Sequence, residues 1–280
     1  MTRTALVLGG GGVTGIAWMT GVLHGLAEAG IPATRADLII GTSAGSIVGA
    51  HLAAETHDLA DLYASQLAPP DGEVFAKLGT AVLLRYVRAM ITSRTPEAYG
   101  RKLGAYALRA ATESEEKRRA VLAGRLRFDA WPERALAVTA VDALTGELRA
   151  FDKDSGVPVI DAVGASCAVP GVWPPVTIKG RKWIDGGMHS PANVQLAAGY
   201  DRVLVVAPIA SGSKAVPSAR GQAAALTAAG ARVEVITPGD AAKKAIGRNV
   251  LDPARRPGAA RAGAAQAAAH VDAVRALLQD

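Results

Sequence analysis

The chain has 280 residues, half of them hydrophobic, which is enough to bury a substantial core in one α/β domain with an inserted region. Its single cysteine, Cys167, excludes an intrachain disulfide and a CxxC metal or redox site, and fits a reducing compartment. The formal charge of +6 suits an anionic membrane surface or nucleic acid, but Lys and Arg stand scattered along the chain, so charge alone selects no partner.

In chain order, "MTRTALVLGGGG" has one arginine and an apolar run too short for a signal peptide, and no stretch approaches about eighteen uninterrupted apolar residues, so a soluble, cytoplasmic protein is expected. "TALVL", Thr4 to Leu8, reads as a strand leading into a glycine cluster. Val13 to Ala29 then carry Ile16, Met19, Leu23 and Leu26 at helical spacing, with Gly30 and Pro32 as stop signals. "DLII", Asp37 to Ile40, is a second strand and Ser43 to Ala54 its following helix, which makes a βαβα opening with a parallel sheet.

From Pro69 to Arg127 the strand signals stop. "VFAKLGTAVLLRYVRAMI" and "ESEEKRRAVLAGRL" read as helices, the second with Glu and Lys/Arg at helical pair spacing, so residues 69–127 form a helical, cap-like insertion. Within it, "AVLLRYVRAMI", Ala81 to Ile91, is apolar except for Arg85 and Arg88. An apolar run of this length is expected to be a core helix over the sheet; the alternative is a cap that meets acyl chains or an anionic membrane interface.

Strands resume with "RALAVTAV" and "ELRAF" around Thr145-Gly146, and "PPVTIKGRKWI" is a hairpin about Lys179-Gly180. "RVLVVAPI" and "ARVEVIT" add two buried strands separated by a helix around Ala223 to Ala229. The alanine-rich tail from Ala259 to Leu278 reads as one closing helix with Val271, Val274, Leu277 and Leu278 on its buried side.

Three elements carry chemistry. "GTSAG", Gly41 to Gly45, fits GxSxG, where a serine on a strained strand-to-helix turn projects its Oγ above the sheet edge. Ser43 at a helix N-terminus would also feel the favourable end of the helix dipole, whereas the plainer reading makes it an N-cap. "GGGGVTG", Gly9 to Gly15, follows the first strand and opens the first helix, so its backbone N–H groups can converge on an anion. Gly10, Gly12 and Gly15 match GxGxxG, but the second strand ends in GTSAG rather than in a ribose-binding acid, and there is no GK[ST]. The glycine amides can instead form an oxyanion hole for an ester carbonyl attacked by Ser43.

The base is the third element. His24, His51, His57 and His270 lie in or beside helices and read as packed or solvated residues, and His189 stays open because it follows "WIDGG" closely. Asp185 of "DGG" leaves a strand end with Gly186 and Gly187 permitting close backbone approach, and in a partly desolvated site it could serve Ser43 directly. That would be a Ser/Asp dyad without histidine.

With "ASCAVPG" at Ala165 to Gly171 between them, and "GRNVLD" later, these motifs resemble those of patatin-like phospholipases over roughly Thr4 to Asp201. The resemblance implies an α/β fold whose mainly parallel core strands are flanked by helices, and hydrolysis of lipid acyl esters. It implies Ser43 as nucleophile, Asp185 as base and Gly10 to Gly12 as oxyanion hole, with the Ala44 amide added and Gly15, Gly41, Gly45, Gly186 and Gly187 as supporting glycines. It implies no metal or organic cofactor and no nucleic-acid partner. The family often places Arg or Lys just before the loop's last glycine, and this sequence has Thr14. Two other readings stand beside it: a nucleotide-binding oxidoreductase using GxGxxG, and a catalytically idle lipid-binding relative.

Overall fold

A computed structural model describes residues 2–55, 57–69 and 79–279. Thr4–Leu8 forms β1, Gly12–Glu28 forms α1, Leu38–Thr42 forms β2 and Ala44–Ala54 forms α2, with β1 and β2 parallel as the βαβα pattern requires. Leu6 and Leu8 of β1 face one core and Ala5 and Val7 the other, because successive strand residues point to opposite faces. Both faces are covered, which is why these strands read as continuous apolar runs rather than alternating ones.

Among the described residues four helices follow: α3 (Leu59–Leu67), α4 (Thr80–Thr92), α5 (Pro96–Ala107) and α6 (Glu115–Leu126). The Val74 to Leu78 part of the helix expected at 74–91 lies outside the described residues. The expectation that Ala81 to Ile91 is a core helix is overturned. On α4 only Ala89 is fully buried, while Leu84 is 64% and Ile91 78% exposed, so its apolar stripe faces solvent. In "ESEEKRRAVLAGRL" the helical pair spacing is used by Glu113 and Lys117, 3.2 Å apart, while Glu115 binds Lys182 at 3.1 Å and the Thr177 side chain at 2.9 Å in the neighbouring hairpin.

The remaining elements are β3 (Leu136–Asp142), β4 (Leu148–Phe151), α7 (Val159–Ser166), β5 (Val176–Ile178), β6 (Arg181–Asp185), β7 (Arg202–Val206), α8 (Ala219–Ala228), β8 (Arg232–Ile236), α9 (Asp240–Ile246), α10 (Arg256–Ala267) and α11 (Val271–Leu278). Among the described residues they complete one eight-stranded sheet in the order β5-β6-β3-β2-β1-β7-β8, with β4 also paired to β3. The β5–β6 hairpin turns at Lys179-Gly180, both at positive φ, where the sequence placed it. β8 is an edge strand with Arg232 exposed and its centre half-buried, rather than a buried strand.

The register at β3 positions the site. β2 and β4 both lie opposite Val138 and Thr139, so they occupy different edges of β3. β4 and β6 both lie opposite Ala140 and Val141, so β6 shares the edge of β2. β2 ends at Thr42 opposite Thr139, and antiparallel β6 ends at Asp185 opposite Ala140. The chain leaves both strands at one point.

The tail is two helices rather than one, α10 and α11, joined by a 3-10 turn, with Val274 and Leu277 buried as expected. α10 lies against α1 through small residues: a Cβ added at Gly21 would land on the Ala260 carbonyl, and one at Gly263 on the Trp18 carbonyl. Gly263→Val should therefore cost about 1–3 kcal/mol by overpacking. Gly258→Ala, on the same helix with open space around it, should be neutral or gain up to about 1 kcal/mol. Urea unfolding measures both, and equal midpoints would contradict this packing.

Candidate active site

Ser43 joins β2 to α2 with φ 52° and ψ −116°, a left-handed backbone that costs a non-glycine residue on the order of 1–3 kcal/mol. Its neighbours hold it there. The Ser43 N–H donates to Ser166 Oγ at 2.8 Å, and its carbonyl accepts from the Ser46 hydroxyl at 2.7 Å and from Cys167 Sγ at 3.3 Å. A Cβ on Gly45 would collide with the Leu8 carbonyl of β1, and one on Gly41 would sit 2.5 Å from Ser46 Cα, so both glycines let α2 close on the strands. The side chain of Ser43 makes no N-cap bond, so the plainer reading of this serine as a cap fails.

Asp185 is 3% exposed at the end of β6. Its Oδ1 accepts from the Gly187 N–H at 2.8 Å, and its backbone N–H donates to the Ala168 carbonyl at 3.0 Å. Burial pushes its pKa from 3.8 up to about 7, although the Ser43 hydroxyl and the Gly187 N–H, which both favour the carboxylate, pull the other way. A Cβ on Gly186 would land on Thr139, so glycine is required where the chain leaves β6.

Beneath both strand ends lies Asn193, fully buried and with φ 53°. Its Nδ2 donates to Thr42 Oγ1 at 3.0 Å, to the Ser190 carbonyl at 3.0 Å and to the Gly186 carbonyl at 3.2 Å, which ties the serine strand to the aspartate loop. His189 Nδ1 lies 3.1 Å from Asn193 Oδ1, and its ring is turned to Glu97 rather than to Ser43. His24 stacks on Tyr63, His51 lies edge-on to His57 and Phe128, and His270 meets Glu234. Among the described residues no histidine lines the cavity that holds Ser43.

The glycine loop lies beside the serine, Gly10 so closely that an added Cβ would sit 3.4 Å from Ser43 Cβ. Here the site differs from expectation: the Gly10 N–H is committed to the Pro191 carbonyl at 2.7 Å and is not a free donor. Among the described residues, no acceptor takes the N–H groups of Gly11, Gly12 or Ala44, and all three residues line the cavity. Gly15 closes the first helical turn onto Gly11 at 3.0 Å. Thr14 is fully buried, and both its N–H (3.1 Å) and its hydroxyl (3.3 Å) bind the Val250 carbonyl. The "GRNVLD" segment thus crosses the start of α1 and takes an amide that a nucleotide phosphate would need.

The cavity measures about 190 Å³ and is mostly apolar, with Ile16, Ile47, Val169, Trp173 and Met188 in its walls. Arg118 of α6, 8% exposed, also lines it and stacks 3.8 Å over the Trp173 ring. Burial lowers its pKa to about 10, so it stays charged at neutral pH, and no carboxylate among the described residues neutralises it. Cys167, its thiol raised to about 11 chiefly by burial, is a neutral donor rather than a nucleophile. Sequence reasoning missed Asn193, Ser166 and Arg118. Ser166 lay inside a quoted motif without a role, while a buried asparagine and a cavity arginine have no local signature.

A family model described as Patatin-like phospholipase matches residues 6–198. The chain belongs to the patatin-like phospholipase family. Curated relatives include an uncharacterized NTE family protein of Mycobacterium bovis and two from strains of Mycobacterium tuberculosis. Each is 31% identical over 216 residues, covering 77% of this chain and 51% of its own. The chain thus spans about half the length of the curated relatives it matches. Among solved structures, VipD from Legionella pneumophila aligns at 16% identity and TM-score 0.49, over 98% of this chain and 67% of its own. The type III effector protein ExoU aligns at 17% identity and TM-score 0.43, over 99% and 54%. At Thr14, where the family resemblance implies Arg or Lys, the N–H and hydroxyl are both held by the Val250 carbonyl of "GRNVLD".

The raised pKa of Asp185 has a consequence for stability. Because the folded pKa of about 7 exceeds the unfolded value near 3.8, the favourable contribution is full below about pH 4 and is lost as pH rises to about 7. Asp185→Asn, neutral throughout, should gain melting temperature relative to wild type across that window and hold a constant advantage above it. A gap that does not change with pH would contradict a buried, reluctantly ionised carboxylate.

Proposed function

We propose that this chain hydrolyses acyl esters of lipids through a covalent acyl-enzyme on Ser43, with Asp185 as general base and acid. The observation that carries the reading is a carboxylate buried against the serine hydroxyl, with a pKa near 7, inside an apolar cavity. A base of that pKa is half ionised at neutral pH and strong enough to accept a proton as the hydroxyl attacks. Family membership supports lipid hydrolysis at the level of the class.

In the proposed reaction Ser43 Oγ bonds to the ester carbonyl carbon while its proton passes to Asp185. The carbonyl π electrons move to oxygen, where the N–H groups of Gly11, Gly12 and Ala44 and the N-terminus of α2 meet the developing charge. The tetrahedral adduct collapses, the C–O bond to the alcohol breaks, and the alcohol leaves with the proton from Asp185. Water then attacks the acyl-serine by the same route, giving its proton to Asp185 and returning a hydroxyl to Ser43 as the fatty acid departs. The apolar walls suit an acyl chain, and the uncompensated charge of Arg118 favours an ester that carries a phosphate.

Purified variants assayed on a phospholipid and on a short soluble ester test this. Ser43→Ala should fold and lose both activities. Asp185→Asn should lose about 10² to 10⁴ in turnover, and His189→Gln should stay within a few fold of wild type. Hydrolysis retained by Ser43→Ala would refute the nucleophile and favour an idle lipid-binding protein. Equal losses at His189 and Asp185 would replace the dyad by a triad.

A further inference from the structure

The chain's positive charge gathers in two described segments, residues 79–112 and 243–261, and of these only the first carries exposed large apolar side chains beside its cations. Between Gly79 and Thr112 stand Arg85, Arg88, Arg94, Arg101, Lys102 and Arg109 against one acid, Glu97. All six cations are exposed, and Arg85, Arg88, Lys102 and Arg109 line a single groove between α4 and α5. Two of the four are already oriented: Arg85 lies over the Tyr106 ring and Lys102 binds the Thr92 carbonyl and hydroxyl. Among the described residues no acid lines the groove.

α4 divides into three sectors. Val82, Tyr86 and Ala89 turn inward, and Tyr86 both donates to the Pro170 carbonyl at 3.1 Å and lines the catalytic cavity. Leu83, Leu84, Val87, Met90 and Ile91 occupy an adjoining arc of about 120° at 3.6 residues per turn, each at least 38% exposed. Arg85 and Arg88 flank that arc on the groove side. A solvent-facing apolar arc beside a basic flank is the pattern of a helix lying in a bilayer interface. Here the same helix is a wall of the proposed active site.

We infer that the outer face of α4 and α5 docks onto an anionic phospholipid membrane, the apolar arc entering the acyl boundary while the groove cations meet phosphate headgroups. A second copy of the chain would bring two such basic faces together. A nucleic acid would satisfy the cations but leave the apolar arc in water. An anionic bilayer accommodates both features. The inference extends the lipid-hydrolase reading but is tested without turnover.

The test is co-sedimentation of the full chain carrying Ser43→Ala with mixed phosphatidylglycerol and phosphatidylcholine vesicles, against phosphatidylcholine alone. Binding should favour the anionic vesicles and weaken with salt. Leu84→Asp with Ile91→Asp, and Arg88→Glu with Arg109→Glu, should each weaken it by about tenfold or more. With Ser43 intact, both double variants should keep the wild-type melting temperature and short-ester hydrolysis. Equal binding to neutral vesicles, or either variant binding as its parent does, would overturn the inference. So would duplex DNA binding that survives the apolar substitutions while vesicles show no preference, or a dimer that those substitutions dissociate. Vesicle docking with no ester turnover in wild type would overturn the catalytic reading alone.

Discussion

One edge of β3 carries two partners end to end, and the candidate site depends on that sharing. β2 runs parallel to β3 as far as Thr42 opposite Thr139, and β6 runs antiparallel from the other end as far as Asp185 opposite Ala140. Neighbouring positions on one strand therefore bring the serine elbow and the aspartate together across a long separation in sequence. A sheet ladder is a stiff ruler, since its register cannot slip by one residue without turning every side chain to the other face. The buried hydroxyls of Thr42 and Thr139, 2.9 Å apart and both within reach of Asn193, fasten the junction where neither β2 nor β6 can continue.

Around this junction the fold maintains two unfavourable conditions together. Ser43 is held at positive φ, and Asp185 is held away from water. Each is compensated locally: the serine by Ser166, Ser46 and Cys167 around its own peptide, the aspartate by the Gly187 amide and the serine hydroxyl. The compensation is incomplete for the aspartate, and the residue of that imbalance is a carboxylate that titrates near neutrality rather than near pH 4. Full solvation would stabilise the ion and leave a weaker base.

Much of this was legible in the sequence, and the reasons differ by element. GTSAG and DGG combine a reactive side chain with glycines that sterics make compulsory, so Ser43 and Asp185 could be named from local pattern. The opening βαβα unit follows from apolar strands between helical periods. What escaped was set at a distance. The commitment of the Gly10 amide depends on Pro191, and Thr14 is held by Val250. Arg118 looked like one member of a charged helix face, yet tertiary packing buried it over Trp173. α4 was misread for the opposite reason, because its apolar run has the composition of a core helix and only the placement of Tyr86 and Ala89 shows which side the core takes.

The most direct test of the account joins geometry to protonation: the rate of Ser43 labelling by a fluorophosphonate, followed by mass spectrometry as a function of pH. In the proposed mechanism Asp185 accepts the serine proton as Ser43 attacks phosphorus, so the rate should climb as pH rises through about 7, level off above it, and lose both its size and this inflection in Asp185→Asn. A rate independent of pH between about pH 5 and pH 9, or label carried by a residue other than Ser43, would contradict it.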